Sequence, residues 1–268
     1  MRDKDCKILC EACLPAVRRA GAFIKDELGR VAVGDIEIKA KNSLVSYVDK
    51  TAEEILVSDL QVLLPSAGFI TEEETVTQGG AAELWIIDPL DGTNNFLHGI
   101  PHFAVSVGLQ VDGDLQVGIV LDVMRDECFF AWKGGGAYLN GQHISVSPTK
   151  HLSDAIIGTG FPYLSSETHK LKTILTDLMV SARGVRRLGA AALDLAYVAC
   201  GRFDAYYEAR LSSWDMAGGA LIVSEAGGKV CALDGSPDFL TKGSVLASNL
   251  HLKTIVQDKI CNVWRAEQ

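Results

Sequence analysis

WIIDPLDGTNNF, residues 85–96, is the stretch on which the reading of this chain turns. Trp85, Ile86 and Ile87 form an apolar run of the kind that buries as a strand. The run ends in two carboxylates, Asp88 and Asp91, with Pro89 between them and Gly92 just after. Proline fixes the backbone immediately after Asp88. Asp91-Gly92-Thr93 is a turn signal, and residues 94–97 can open a helix whose N-terminal N–H groups suit an anion. Two unpaired aspartates this close repel and raise each other's pKa, a conflict that a divalent cation removes. The stretch thus offers two carboxylates to a hard cation and backbone donors to a phosphate. Taken alone, it fits equally well a surface turn at Asp91-Gly92 and a helix cap at Asp88.

Two distant stretches bear on that choice. FITEEET, residues 69–75, places Glu72, Glu73 and Glu74 after a second short apolar strand; by itself this is the pattern of a solvated loop. LSSWDMAGGALIVSEAGG, residues 211–228, sets Asp215 at the start of a helix of small and apolar residues. Alone, Asp215 reads as a first-turn residue favoured by the helix dipole. Gly218-Gly219 costs that helix about 1–2 kcal/mol of propensity, which is tolerated where another backbone or a ligand must come close.

Composition narrows the function classes. The chain has 268 residues, 48% hydrophobic and 22% charged, with a net charge of −9. That is long enough for a sizeable core, and no basic run suits a nucleic-acid backbone, so nucleic acid is not an expected partner. The N-terminal stretch lacks an apolar h-region, and no apolar run approaches the ~20 residues that cross a bilayer. No membrane association is expected, and a cytoplasmic location is. Cys6, Cys10 and Cys13 form C-x3-C-x2-C, a spacing also used by iron–sulfur enzymes. Here the three thiols share one face of an amphipathic helix, where cysteine packs as a small hydrophobe, so core packing is expected.

Periodicity and turn signals give a coarse map. Helices are expected over 5–28, 48–64, 167–180, 190–199, 214–225 and 252–264. Strands are expected over 33–39, 68–71, 84–87, 104–111, 115–122, 127–132, 137–139, 144–146, 155–158, 184–187, 203–208 and 244–247. Asp112-Gly113 and Asn140-Gly141 are hairpin signals, and Gly201 and Gly227-Gly228 are helix stops. A run of strands followed by alternation predicts an α+β fold with helices layered between sheets.

Jointly, the motifs carry a resemblance. D-P-L-D-G-T at 88–93 and W-D-x-A-x-G-x-L-I-V-x-E-A-G-G at 214–228 are similar to the two motifs of the inositol monophosphatases. These are metal-dependent, lithium-sensitive phosphatases related to fructose bisphosphatase. FITEEE resembles their Glu-Glu motif, with Thr71 standing where many members have glycine. The likeness runs from about residue 5 to 262. It implies an α/β/α/β/α sandwich: one inositol monophosphatase-like domain, an N-terminal half to about residue 150 with the metal site and a C-terminal half after it.

The resemblance also implies roles. Glu72, Asp88 and the carbonyl of Leu90 would bind a first Mg2+, and Asp88, Asp91 and Asp215 a second; Glu73 would position water or a third, weaker ion. Oxygen ligands suit Mg2+, and a bound metal lowers the pKa of water. Thr93 would orient the attacking water and Asp49 would act as base through Thr93. Read from its own surroundings, Asp49 is also compatible with an ordinary helix N-cap. The backbone N–H groups of Asp91, Gly92 and Thr93 would hold the phosphate. Gly189, Ala190, Ala191, Glu208, Asp91 and Asp215 would line the polyol site, carboxylates being good acceptors for hydroxyls. Lys39 lies where the family often has a basic residue near the phosphate, and an exposed strand-end lysine fits it as well.

The expected reaction is Mg2+-dependent hydrolysis of an inositol monophosphate, with Li+ as inhibitor and a homodimer as the assembly. Asn94-Asn95-Phe96 follows the inositol monophosphatase pattern rather than the Lys-Glu-Phe or Arg-Ser-Phe of nucleotide-type and histidinol-phosphate relatives. Those activities, and fructose bisphosphatase activity, stay open as alternatives, as does a regulatory binding protein that keeps the fold. Every metal carboxylate, Thr93 and Asp49 are present, which favours the enzyme.

Overall fold

A computed structural model describes residues 3–32, 34, 37–40, 43–161 and 167–266. In chain order the elements are α1 (Asp3–Glu27), β1 (Glu37–Ala40), β2 (Ser43–Val45), α2 (Tyr47–Leu63), β3 (Gly68–Thr71), β4 (Glu83–Asp91) and α3 (Thr93–Leu97). There follow β5 (Ala104–Val111), β6 (Asp114–Asp122), β7 (Glu127–Trp132), β8 (Ala137–Leu139), β9 (Gln142–Ile144) and a 3-10 turn (Leu152–Asp154). The rest are β10 (Ile156–Thr159), α4 (Thr168–Ser181), β11 (Gly184–Arg186), α5 (Ala191–Ala199), β12 (Ala205–Ala209), α6 (Ser213–Glu225), β13 (Lys229–Cys231), α7 (Phe239–Lys242), β14 (Ser244–Ser248) and α8 (Lys253–Arg265).

Strands β3 to β9 form a seven-stranded sheet in sequence order, antiparallel except for the β3–β4 pair. A five-stranded sheet has the order β11-β10-β12-β14-β13. Both hairpin signals hold: Asp112 and Gly113, and Asn140 and Gly141, all have positive φ, as the turns that match strand twist require. Alternation along β5 and β6 sorts the core. Val105, Val107, Leu109, Val117, Ile119 and Leu121 face one cluster with α1 and α2, whereas Ala104 and Val120 face another with α5 and α6. A third cluster joins Ala205 and Tyr207 of β12 to Leu171, Ile174 and Leu178 of α4 and Ile260 of α8. The layers are therefore α1/α2, large sheet, α5/α6, small sheet, α4/α8: the expected α+β sandwich.

Cys6, Cys10 and Cys13 pack in the first cluster. Burial pushes the Cys13 and Cys128 thiols up to about 12, so they behave as apolar groups. Among the described residues no helix is long and apolar enough to cross a membrane.

Three differences from the sequence map have physical causes. Strand β4 runs on through the DPLD segment, because a bulge between Asp88 and Asp91 absorbs the proline, which has no N–H to give a ladder. Strand β9 lies at Gln142–Ile144 rather than 144–146, since the two-residue turn sets its register directly against β8. The short elements β13 and α7 escape periodicity altogether. Of the strand expected over 33–39, residues 33, 35 and 36 lie outside the described residues, as do the side chain of Lys39 and residues 162–166 of the 161–168 loop.

The glycines of α6 meet close neighbours within the protein, Gly219 the Leu195 side chain of α5 and Gly218 the backbone of the large sheet. A Cβ on Gly218 would lie 2.9 Å from the Val107 carbonyl oxygen and 3.0 Å from that of Ile119. One on Gly118 would fall on the Gly218 carbonyl. Helix α6 thus rides directly on β5 and β6. Gly118→Ala is expected to lower unfolding free energy by about 1–3 kcal/mol, the usual cost of overpacking, in chemical denaturation. Unchanged stability would refute the close approach.

Candidate active site

The bulge decides where the carboxylates point. Side chains alternate along a strand, so residues three apart normally lie on opposite faces. In β4, Asp88 pairs with Ser106 and Asp91 with Ala104, two residues apart on β5. One extra residue in β4 therefore brings both aspartates to one face. That face is the one turned to α5 and α6, opposite Trp85 and Ile87. Within the bulge the Leu90 N–H donates to Asp88 Oδ1 at 3.0 Å, while the Leu90 side chain is buried in the first cluster.

Asp215 arrives from the opposite layer. Ser212 caps α6 and its N–H donates to Asp215 Oδ2 at 2.6 Å, a capping box that fixes the aspartate in the first turn. Ser106 Oγ donates to the Trp214 carbonyl at 3.2 Å, tying that turn to the strand. One carboxylate oxygen each from Asp88, Asp91 and Asp215 then lie within 4.8 Å of one another.

Electrostatics show that these groups are crowded. Desolvation, then repulsion from Glu72, Asp91 and Asp215, holds the Asp88 carboxyl well above its ordinary range. Desolvation, then Asp91 and Glu72, does the same to Asp215. Asp91 is pushed up by burial to about 6, moderated by the N–H groups at the start of α5. Glu72 also shares a hydrogen bond with Asp88. Four carboxylates from three segments therefore converge, and this oxygen-only donor set fits a hard divalent ion.

The expected water-handling pair is also assembled. Thr93 Oγ1 lies 3.0 Å from Asp49 Oδ1 and 3.0 Å from the Leu90 carbonyl oxygen. Asp49 Oδ2 accepts from Ser46 N and Ser46 Oγ, both at 2.8 Å. The N-cap of α2 is Ser46, and Asp49 is the reciprocal member of a capping box. Asp49 is therefore not the N-cap itself: it lies one turn into α2, with one oxygen serving the cap residue and the other facing Thr93. Burial raises the pKa of Asp49 against the pull of these hydrogen bonds. Gly92 has φ of 92°, and a Cβ there would sit 3.1 Å from the His102 carbonyl oxygen; both demand glycine.

The polyol-side residues lie across the same junction. Asp91 Oδ1 and Oδ2 accept from the N–H groups of Ala191 and Ala192 at 3.1 and 2.7 Å, which fastens residues 189–191 to the carboxylate cluster. Glu208, on β12, is raised to about 7 by desolvation, while Tyr206, which donates to it, and Arg187 pull it back. Gly160 lies so close to the Glu208 carboxylate that a side chain would displace it. Glu73 shares the turn that carries Glu72, its N–H bonded to Glu53 Oε2 at 2.8 Å.

Three residues at this site carry no role in the sequence reading. Glu53 is fully buried and grips the glutamate turn. Asp194, 1% exposed, is raised by desolvation and then by Glu208 and Asp91; a lone carboxylate in the otherwise apolar AALDLAYVA was its available signal. Asn95 Nδ2 donates to the carbonyls of His102 and Leu188 at 2.8 and 2.9 Å, bridging the DGT segment to the 188–191 strip, and no sequence spacing foretells that partner.

The comparisons agree with this geometry. A family model described as the inositol monophosphatase family matches residues 8–267. Among relatives, "Nus factor SuhB" of Pseudomonas aeruginosa is 46% identical, covering 88% of this chain and 89% of that one. "Inositol-1-monophosphatase" of Rhizobium meliloti is 41% identical, covering 94% and 96%. The crystal structure of "extragenic suppressor protein suhB" from Bartonella henselae superposes with a TM-score of 0.88 at 37% identity, over 93% of this chain and 97% of that one. With its motifs, its layered fold and its acidic cluster all in register, the chain belongs to the inositol monophosphatase family.

Proposed function

We propose that the protein is a Mg2+-dependent phosphomonoesterase that hydrolyses inositol monophosphate to inositol and phosphate. The observation that carries this reading is the convergence of Asp88, Asp91 and Asp215 within 4.8 Å, with Glu72 beside them and Thr93 bonded to Asp49. Glu72, Asp88 and the Leu90 carbonyl would hold one ion and Asp88, Asp91 and Asp215 another. When bound, Mg2+ supplies positive charge against the phosphate oxygens and acidifies water.

The protein groups do the rest. Thr93 Oγ1, anchored by Asp49, accepts a hydrogen bond from the attacking water and aims its lone pair at phosphorus. The proton leaves through the Thr93 hydroxyl to Asp49, which burial makes a stronger base than an exposed aspartate. The N–H groups of Asp91, Gly92 and Thr93 hold phosphate oxygens, with the positive φ of Gly92 turning them the same way. Glu73 would position a second water. Glu208, Asp91, Asp215 and the strip Gly189, Ala190 and Ala191 would accept and enclose the polyol hydroxyls. Inhibition by Li+ and assembly as a homodimer complete the reading, both carried over from the family.

A second reading comes from the relatives named Nus factor SuhB, in Pseudomonas aeruginosa and Vibrio cholerae among others. Phosphate release by the parent protein, measured directly, separates the two readings: its absence would favour the second.

Asp91→Asn and Asp215→Asn are expected to cut phosphate release from inositol 1-phosphate by more than about 100-fold, beyond what outer-shell substitutions at metal sites cost. Circular dichroism should be unchanged. Near-normal turnover by either variant would sink the metal assignment. Among inositol 1-phosphate, fructose bisphosphate, histidinol phosphate and adenosine bisphosphate, the first should give the highest kcat/KM; a clear preference for another would reassign the substrate.

The raised carboxyls make a separate prediction. A group whose folded pKa is raised holds its proton where a free aspartate has lost it, so stability from this cluster falls as pH rises from about 4 through the folded pKa values. Cation binding must expel those protons. Mg2+ added to chelator-treated protein near pH 6, where Asp91 titrates, is therefore expected to release protons. Calorimetry in buffers of different ionisation enthalpy measures this, and an apparent enthalpy independent of buffer would contradict it.

A further inference from the structure

We infer that Glu53 is a positioning residue for the metal-binding turn, and that Thr71 and Thr75 are its working partners. This inference rests on the metal-dependent reading proposed above. Glu53 lies one turn after Asp49 on α2 and is 0% exposed. Its carboxylate receives four hydrogen bonds from a five-residue segment. Oε1 accepts from Thr71 Oγ1 at 2.8 Å, Thr75 N at 2.8 Å and Thr75 Oγ1 at 2.7 Å. Oε2 accepts from Glu73 N at 2.8 Å. All four partners donate, so the carboxylate acts as acceptor throughout. Hydrogen bonds to such a group are worth roughly twice neutral ones.

Glu72 lies between two of the donors, Thr71 and Glu73, and it is the residue that meets Asp88. Glu74 has φ of 53°, a left-handed conformation that a non-glycine residue adopts at a cost. The Glu72 N–H reaches the Ile87 carbonyl at 3.3 Å, which extends the β3–β4 pairing by one residue. Beyond that point the turn leaves the sheet, and its backbone donors go to Glu53.

Thr71 adds a side-chain contact to the device. Where many family members have glycine, the Thr71 hydroxyl donates to Glu53 and accepts from Gln78 Nε2 at 3.1 Å. Gln78 Oε1 in turn accepts from Thr71 N at 2.7 Å. Glycine would offer neither hydroxyl contact. Because Asp49 and Glu53 project from the same helix, α2 sets both Thr93 and the Glu72 turn by a single rigid body. The cation site and the water-handling pair therefore share one reference frame.

The test measures metal affinity directly, with Mn2+ as probe by electron paramagnetic resonance on chelator-treated protein, beside steady-state kinetics against Mg2+. Glu53→Gln, which presents an amide N–H₂ to backbone donors, is expected to weaken Mn2+ binding by about 10–100-fold, as outer-shell substitutions do. Thr71→Val, which keeps the β-branched shape, should weaken it by a smaller factor, and Thr71→Ser should restore it. The Mg2+ concentration at half-maximal rate should shift in parallel, while KM for substrate at saturating Mg2+ stays within twofold. Folded variants that bind Mn2+ as the parent does would overturn the inference, even if their Tm falls, since that is the signature of a merely structural role. Should Glu53→Gln fail to fold, the Thr71→Val and Thr71→Ser pair decides. A parent protein that binds no Mn2+ would instead overturn the metal-dependent reading and this inference with it.

Discussion

Repulsion among buried carboxylates is the constraint around which this molecule is organised. Asp88, Asp91 and Asp215 offer oxygens within 4.8 Å of one another, and burial raises each of them. A cluster of this kind opposes folding, because desolvation and mutual repulsion both disfavour the charged forms. It persists only where the surrounding structure over-determines it. Here the over-determination is visible: a bulged strand, a capping box at the start of α6, and two glycines that let that helix lie on the sheet. The bulge places Asp88 and Asp91, the other two place Asp215, and none of them requires its neighbours to be acidic.

The same cluster also ties the large sheet to α5. Asp91 reaches from the large-sheet layer to the N-terminus of α5, where its oxygens take two backbone N–H groups. Asn95 spans the same gap from the other side of the DGT turn. The anion is favoured there by the helix dipole as well as by the hydrogen bonds, which offsets part of its desolvation. Asp91 and residues 191–192 are thereby held together directly. A shift of α5 would change the carboxylate geometry directly, without any intervening loop.

Much of this was legible in the sequence, and the parts that were not share a cause. Asp88, Asp91 and Asp215 sit in motifs whose order and flanks are specific. The hairpins announced themselves because Asp112-Gly113 and Asn140-Gly141 satisfy a local backbone demand. The glycine pair of α6 was legible as a close approach, but its partners were not: Gly219 meets Leu195 of α5, and Gly218 meets carbonyls of Val107 and Ile119 on strands about a hundred residues earlier. The bulge was hidden because Asp-Pro and Leu-Asp look like a strand's end to any propensity argument. Glu53 was hidden for a different reason. In a helix, an apolar-face glutamate reads as a surface residue that happens to fall near the stripe, and its donors come 18 to 22 residues later.

The balance between enzyme and regulator can be argued from that asymmetry. A surface used only to bind a partner is under no physical pressure to keep four acidic groups pressed together beneath it. Their cost would be relieved by a single neutral substitution, since most positions tolerate stabilising changes when function does not depend on strain. The chain instead invests further structure in the arrangement, including a buried glutamate that accepts four hydrogen bonds from the turn carrying Glu72. Stabilisation is directed at keeping the carboxylates in place rather than at removing the repulsion between them. That is the expected pattern where a cation is to be bound and phosphoryl chemistry done, and a regulatory role, where present, would be carried by surfaces other than this cluster.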